Sequence, residues 1–208
     1  MSPDALLSAF VTLLLVVDPL GLVPTFVAIT DGLPQAARRH VALRACIIAT
    51  VVLTGAALAG DWLFRMVGIT LPAFRIAGGL LLFSIASEMV LGVRIERQSK
   101  AAEQALEEHV RNIAAFPLAV PLMAGPGAIT ATVLLAGHAD GNPTALALLI
   151  GVICVVLAIC YAAFWAGSRL AKTLGTTGNV VLSRLLGVLL AALAVQYVID
   201  GIRAVLAA

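Results

Sequence analysis

This chain is poor in charge. Only 12% of its residues are Asp, Glu, Lys or Arg, while 62% are hydrophobic and the mean hydropathy is +1.09. A soluble domain carries about a quarter charged residues, so the deficit excludes an ordinary water-soluble globule and points to a polytopic membrane protein. Cysteine is scarce as well. Cys46, Cys154 and Cys160 all fall in apolar stretches without a CxxC pair, which reads as buried small hydrophobes rather than disulfides or a metal site. There is no P-loop, no GxSxG, no metal-binding histidine pair and no haem motif, so the chain cannot drive work by ATP hydrolysis alone. The first apolar segment lacks a basic leader and an A-x-A-like site, so it reads as a membrane span and not as a cleavable signal peptide.

What is present is a series of long apolar segments. Six are long enough to span a bilayer, over about 5–29, 42–63, 71–92, 113–137, 144–168 and 181–205. They leave little chain over, so one all-α membrane domain over 1–208 is expected. The basic residues set its orientation. With the N-terminus outside, Arg38, Arg39, Arg44, Arg94, Arg97, Lys100, Arg111, Arg169, Lys172 and Arg184 face the cytoplasm. Of the 13 Lys and Arg, only Arg65, Arg75 and Arg203 then face outward. That bias predicts both termini outside. The net charge of +2 is explained by this topology, and no nucleic-acid partner is expected.

The halves of the sequence align. At an offset of 107 residues Pro19 meets Pro126, Thr25 meets Thr132, Ala59-Gly60 meets Ala166-Gly167 and Gly68 meets Gly175. A two-residue insertion then brings Arg75 onto Arg184, Gly78 onto Gly187, Gly92 onto Gly201 and Arg94 onto Arg203. Matched Arg and Gly are far less accidental than matched Leu, so this is a duplication. Three spans per half is odd, which predicts two inverted three-helix repeats, 1–93 and 113–208. The polar stretch 94–112 between them reads as a solvated linker, with Glu96–Lys100 and Glu107–Arg111 at helical spacing. His138 and Asp140 on the short loop near 137–143 make too poor a ligand set for a metal, and no cofactor is expected.

The first span of each half is interrupted. Asp18-Pro19-Leu20-Gly21 is the first break and Gly125-Pro126-Gly127 the second. Proline removes a backbone donor and clashes with the preceding turn, and hydrocarbon cannot satisfy the groups released. Asp is a favoured N-cap and Pro a favoured first helical residue, so Asp18-Pro19 predicts a new helix start about 20 Å into the segment, near the midplane. Pro24 adds an expected second irregularity. Gly125 caps the second half-helix, Gly127 leaves its surface bare, and Thr130 and Thr132 lie just beyond. Two helix N-termini meeting at one place suit a carboxylate, and Asp18 suits an ammonium, a proton or a sodium ion. Together they describe a zwitterion. The competing reading is that Asp18 only caps and the glycines only pack helices. Glu88, near Ser84, Ser87 and Arg94, is a second candidate for ion coupling. Arg75 and Arg184 read as interfacial anchors, Trp62 and Trp165 as aromatic-belt residues, and Gln196 and Asp200 as cross-helix bonds or a cap with Arg203.

Residues 10–26, FVTLLLVVDPLGLVPTF, and 117–130, PLAVPLMAGPGAIT, resemble the two signatures of the MarC family of bacterial inner-membrane proteins. The resemblance covers essentially the whole chain, six spans and polar central loop included. It implies a small secondary transporter, with some relatives associated with small neutral amino acids, and it carries Asp18, Pro19, Gly21, Gly125, Pro126 and Gly127 over directly. The resulting expectation is a carrier, not an enzyme. It moves a small zwitterion by alternating access, driven by H+ or Na+, and its candidate substrate contacts are those six residues with Thr25, Thr130 and Thr132. A channel or facilitator, a LysE-type amino-acid exporter and a non-transporting scaffold are the alternatives. The bilayer and a small-molecule substrate are the expected partners, and a homo-oligomer is compatible with the sequence.

Overall fold

The computed structural model describes residues 3–98, 100, 114–137 and 142–207; the side chains of 61, 65, 114–117, 168–174 and 176 lie outside what it describes. Among the described residues every regular element is helical. In chain order these are α1 (Pro3–Val17), α2 (Leu22–Ile29), α3 (Gln35–Val67) and α4 (Leu71–Leu91). A π-helical segment (Ala114–Met123) follows, then α5 (Pro126–Gly137), α6 (Pro143–Trp165) and α7 (Gly167–Leu206).

Local chemistry explains where these helices start and stop. Thr70 accepts the Ala73 N–H at 3.3 Å and Asn142 accepts that of Thr144 at 2.9 Å, so α4 and α6 begin on side-chain caps followed by proline. α3 ends on Gly68 and α4 on Gly92, both with positive φ (76° and 83°), where a side chain would be strained. Inside α7, Gly175 (φ 61°, ψ 179°) breaks the helical path. Gly175 is the residue that aligns with Gly68, so the chain changes course at matching glycines in the two halves.

Among the described residues four helical stretches are long and apolar enough to cross a membrane, namely Gln35–Gly60, Leu71–Leu91, Pro143–Trp165 and Thr177–Leu206. The bent pair α1 and α2, turned by 45°, makes a fifth. The sixth expected span, 113–137, is carried by the π-helical segment and the 12-residue α5, which is apolar but short. Residues 93–98 are helical, and most of the expected linker lies outside the described residues.

Apolar residues occupy both the inside and the outside of the bundle. Leu13, Leu22, Leu53, Leu82, Met123, Leu134 and Ile153 are fully buried, whereas Leu7, Val51, Leu80, Leu91, Val155 and Leu185 stand exposed, as a lipid-facing surface requires. Lipid tails are as apolar as leucine, so helices associate through close packing of small residues. The broadest contact is α4 against α7. A Cβ on Gly79 would stand 2.7 Å from the Ala194 carbonyl, and one on Gly187 2.8 Å from Met89 Cβ. α1 packs against α5, α6 and α7, which puts the first break inside the bundle.

Candidate functional site

The first break is a tight turn built around one acid. Asp18 sits at φ 54°, a left-handed conformation that aspartate tolerates, rather than in the extended region usual before a proline. Its own N–H still donates to Leu14 at 3.0 Å, closing α1. Its carboxylate Oδ1 accepts the Gly21 N–H at 3.0 Å, and its carbonyl accepts the Leu22 N–H at 3.2 Å. The new helix therefore starts at Leu22, one turn later than the Asp18-Pro19 pattern predicts. Asp18 still serves the N–H three residues on, as a cap does, but from a left-handed rather than an extended backbone. Pro24 falls in the first turn of α2, where N–H groups lack helical partners anyway, so it adds no second irregularity.

Ending α1 also strands carbonyls. The Val16 carbonyl is met by Arg94, whose Nη2 donates to it at 2.7 Å across 78 residues of sequence. A cation at a helix C-terminus answers both the free carbonyl and the negative end of the dipole. Arg94 is 6% exposed and Asp18 is 1% exposed, so two opposite charges are buried at one break of an apolar bundle. Each acts electrostatically on the other.

At the second break the Ala124 N–H reaches back five residues to Ala119 at 2.8 Å, finishing the π-helical segment. α5 then opens at Pro126, with the Ile129 N–H on the Gly125 carbonyl at 3.0 Å. Gly127 has a packing role rather than a bare surface. A Cβ there would collide with Ile85 Cδ1 and stand 3.4 Å from Val16 Cγ1. Glycine thus lets α5 press onto α4 and onto the first break, and the two breaks meet at Val16. A cavity of about 280 Å³ lies at this junction. Gly125, Pro126, Gly127 and Ala128 wall it from the second break, Val16 from the first, and Arg94, Arg97 and Gln98 from the stretch after α4.

A sequence profile described as MarC family integral membrane protein matches residues 4–206, nearly the whole chain. The chain belongs to the MarC family. It is 37% identical over 198 residues to a UPF0056 membrane protein of Aquifex aeolicus, covering 94% of this chain and 91% of that one. It is 35% identical over 201 residues to a UPF0056 membrane protein of Methanocaldococcus jannaschii, covering 95% and 96%. A third relative, the UPF0056 membrane protein YhcE of Escherichia coli, is 31% identical over 196 residues, covering 94% and 91%. No solved structure matches the chain.

In this MarC chain the expected contact residues are divided. Gly125, Pro126 and Gly127 line the cavity, whereas Asp18, Pro19, Gly21 and Thr25 are buried but are not in its wall. Thr130 is buried with its methyl toward Gly78, and Thr132 is buried with no partner for its hydroxyl among the described residues. Glu88 does not pair with Arg94. It forms a two-point ion pair with Arg97, at 2.9 and 2.8 Å, near the surface. Gln196 donates to Asp200 at 2.8 Å within α7 instead of bonding across helices. His138, Asp140, Glu107 and Arg111 lie outside the described residues. Arg94 is the residue that sequence reasoning undervalued. Its signal was an arginine immediately after a span, matched by Arg203 in the other half, which a topology count absorbs as one more cytoplasmic charge.

Proposed function

We propose that this MarC-family protein is a secondary transporter of a small zwitterion, most simply a small neutral amino acid. In this reading the protein has six spans in two inverted repeats in the bacterial inner membrane, and alternating access rocks one repeat against the other. Asp18 contacts the substrate ammonium or the coupling ion, H+ or Na+. The observation that carries the reading is the buried Asp18 and Arg94 at a break that abuts the second break and its cavity. A charged group inside a bilayer is expensive and persists where it lines a substrate or ion path. The left-handed turns at the aligned Gly68 and Gly175 support the repeat.

Asp18→Asn is the informative test. Asparagine tolerates the left-handed backbone, and its amide oxygen can accept the Gly21 N–H, so the turn survives while the charge goes. Purified mutant is expected to remain folded and monodisperse but to lose saturable uptake and counterflow in proteoliposomes. Wild-type counterflow in the mutant would remove Asp18 from the mechanism.

A further inference from the structure

A buried guanidinium normally has its donors met, because an unmet buried donor has given up its hydration with nothing in return. Arg94 does not follow this rule. Nη2 is held by the Val16 carbonyl, but Nη1 is buried and has no partner among the described residues. Arg94 is also part of the cavity wall, and the first turn of α5 is part of the same wall. Pro126 has no N–H, so the first backbone donors of this 12-residue helix belong to Gly127 and Ala128, both lining the cavity. Neither has an intrahelical acceptor at a helix start. Arg94, with one donor unmet, and the positive end of a helix therefore belong to the wall of the same small space.

We propose that this cavity is a carboxylate subsite, in which Arg94 and the N-terminus of α5 together hold one small carboxylate. The assignment deepens the transport reading and rests on it for its biological meaning, since the ligand becomes the carboxylate end of the carried zwitterion. Size and charge narrow the ligand. The cavity, at about 280 Å³, lies just under the range of drug-sized pockets, so it suits a small molecule. Around it Arg94 is matched in number by the buried Asp18 of the adjoining break, and Arg97 by its ion pair with Glu88. A ligand without net charge keeps that balance, whereas a dianion would bury unmatched charge. Exposed Arg97, Pro121 and Pro126 form the rim through which such a ligand enters.

Glycine and glycinamide isolate the group in question, because they share the ammonium and differ in the carboxylate. Binding to the purified full chain, followed by ligand-induced thermal shift in detergent, should favour glycine by at least about a hundredfold. Arg94→Gln should lower that preference to below about tenfold. Arg94→Lys keeps the charge and one donor for Val16 but not the two-pronged fork, so it safeguards the fold and should weaken glycine about tenfold. Equal binding of the two ligands by wild type, no binding of either, or an unchanged preference in both variants would overturn the subsite. Failure of the transport reading looks different. Arg94-dependent glycine binding without counterflow in liposomes would keep the subsite and remove the carrier. Counterflow indifferent to both Arg94 variants would keep the carrier and remove the subsite.

Discussion

The two breaks occupy matching places when the halves of the sequence are aligned, yet they finish their helices by different means. At the first, one acid turns the chain, its carboxylate holds the Gly21 N–H, and an arginine 78 residues away takes the Val16 carbonyl. At the second, among the described residues, the bonds at the helix ends run between backbone groups. A π-helical turn closes on Ala119, and α5 opens directly onto a cavity. One break is satisfied by the protein itself and the other is left open at its positive end. In a bilayer core such an opening is tolerated only where protein or a water-filled cavity borders it. The alignment makes the two breaks equivalent in sequence, and the one charge between them, on Asp18, is what lets the first close on itself.

The comparison is most easily broken at Gly21. A Cβ there would land on the Asp18 carboxylate, so Gly21→Ala must displace the acid from its N–H and leave both buried and poorly paired. Overpacking and an unmet buried N–H each cost about 1–3 kcal/mol, so a loss near 3 kcal/mol is expected. It would be read as a large fall in the unfolding midpoint in detergent. Adding Asp18→Gly, which supplies a residue at ease with φ 54°, should recover part of that loss through a favourable coupling above about 1 kcal/mol. Strict additivity of the two changes would mean that the acid does not organise the first break.

Gly127→Ala is the matching probe of the second break and should cost less, about 1 kcal/mol. The obstacle there is the far end of Ile85, a flexible side chain, rather than a capping acid. Ile85→Val removes the colliding atom and should relieve most of the effect. A cost as large as that at Gly21, without relief by the valine, would show that the second break is held as tightly as the first.

These contrasts also explain how much was legible in the amino-acid order. Pro and Gly inside apolar runs located both breaks, because proline's missing donor and glycine's missing Cβ are local properties. The starts of α4 and α6 were legible for the same reason, through Thr70-Leu71-Pro72 and Asn142-Pro143. The exact helix start after Asp18 was not, since the left-handed turn that delays it depends on the carboxylate's partner. The reach of Arg94 to Val16 was hidden more completely. It joins groups 78 residues apart, and nothing local distinguishes Arg94 from Arg97, which in fact takes Glu88.

Glu88 gives the smallest expected effect and the sharpest control. Its partner Arg97 is largely exposed, and such pairs contribute about 0–1 kcal/mol because water screens them. Glu88→Gln should therefore shift stability by less than about 1 kcal/mol. It should also leave the ion dependence of uptake unchanged, in contrast to Asp18→Asn, since only Asp18 is buried at a break. The measurement is uptake against a set pH or sodium gradient in proteoliposomes containing each variant. If Glu88→Gln abolishes gradient-driven uptake while counterflow persists, ion coupling belongs to the surface pair. Asp18 would then keep only its structural task at the first break.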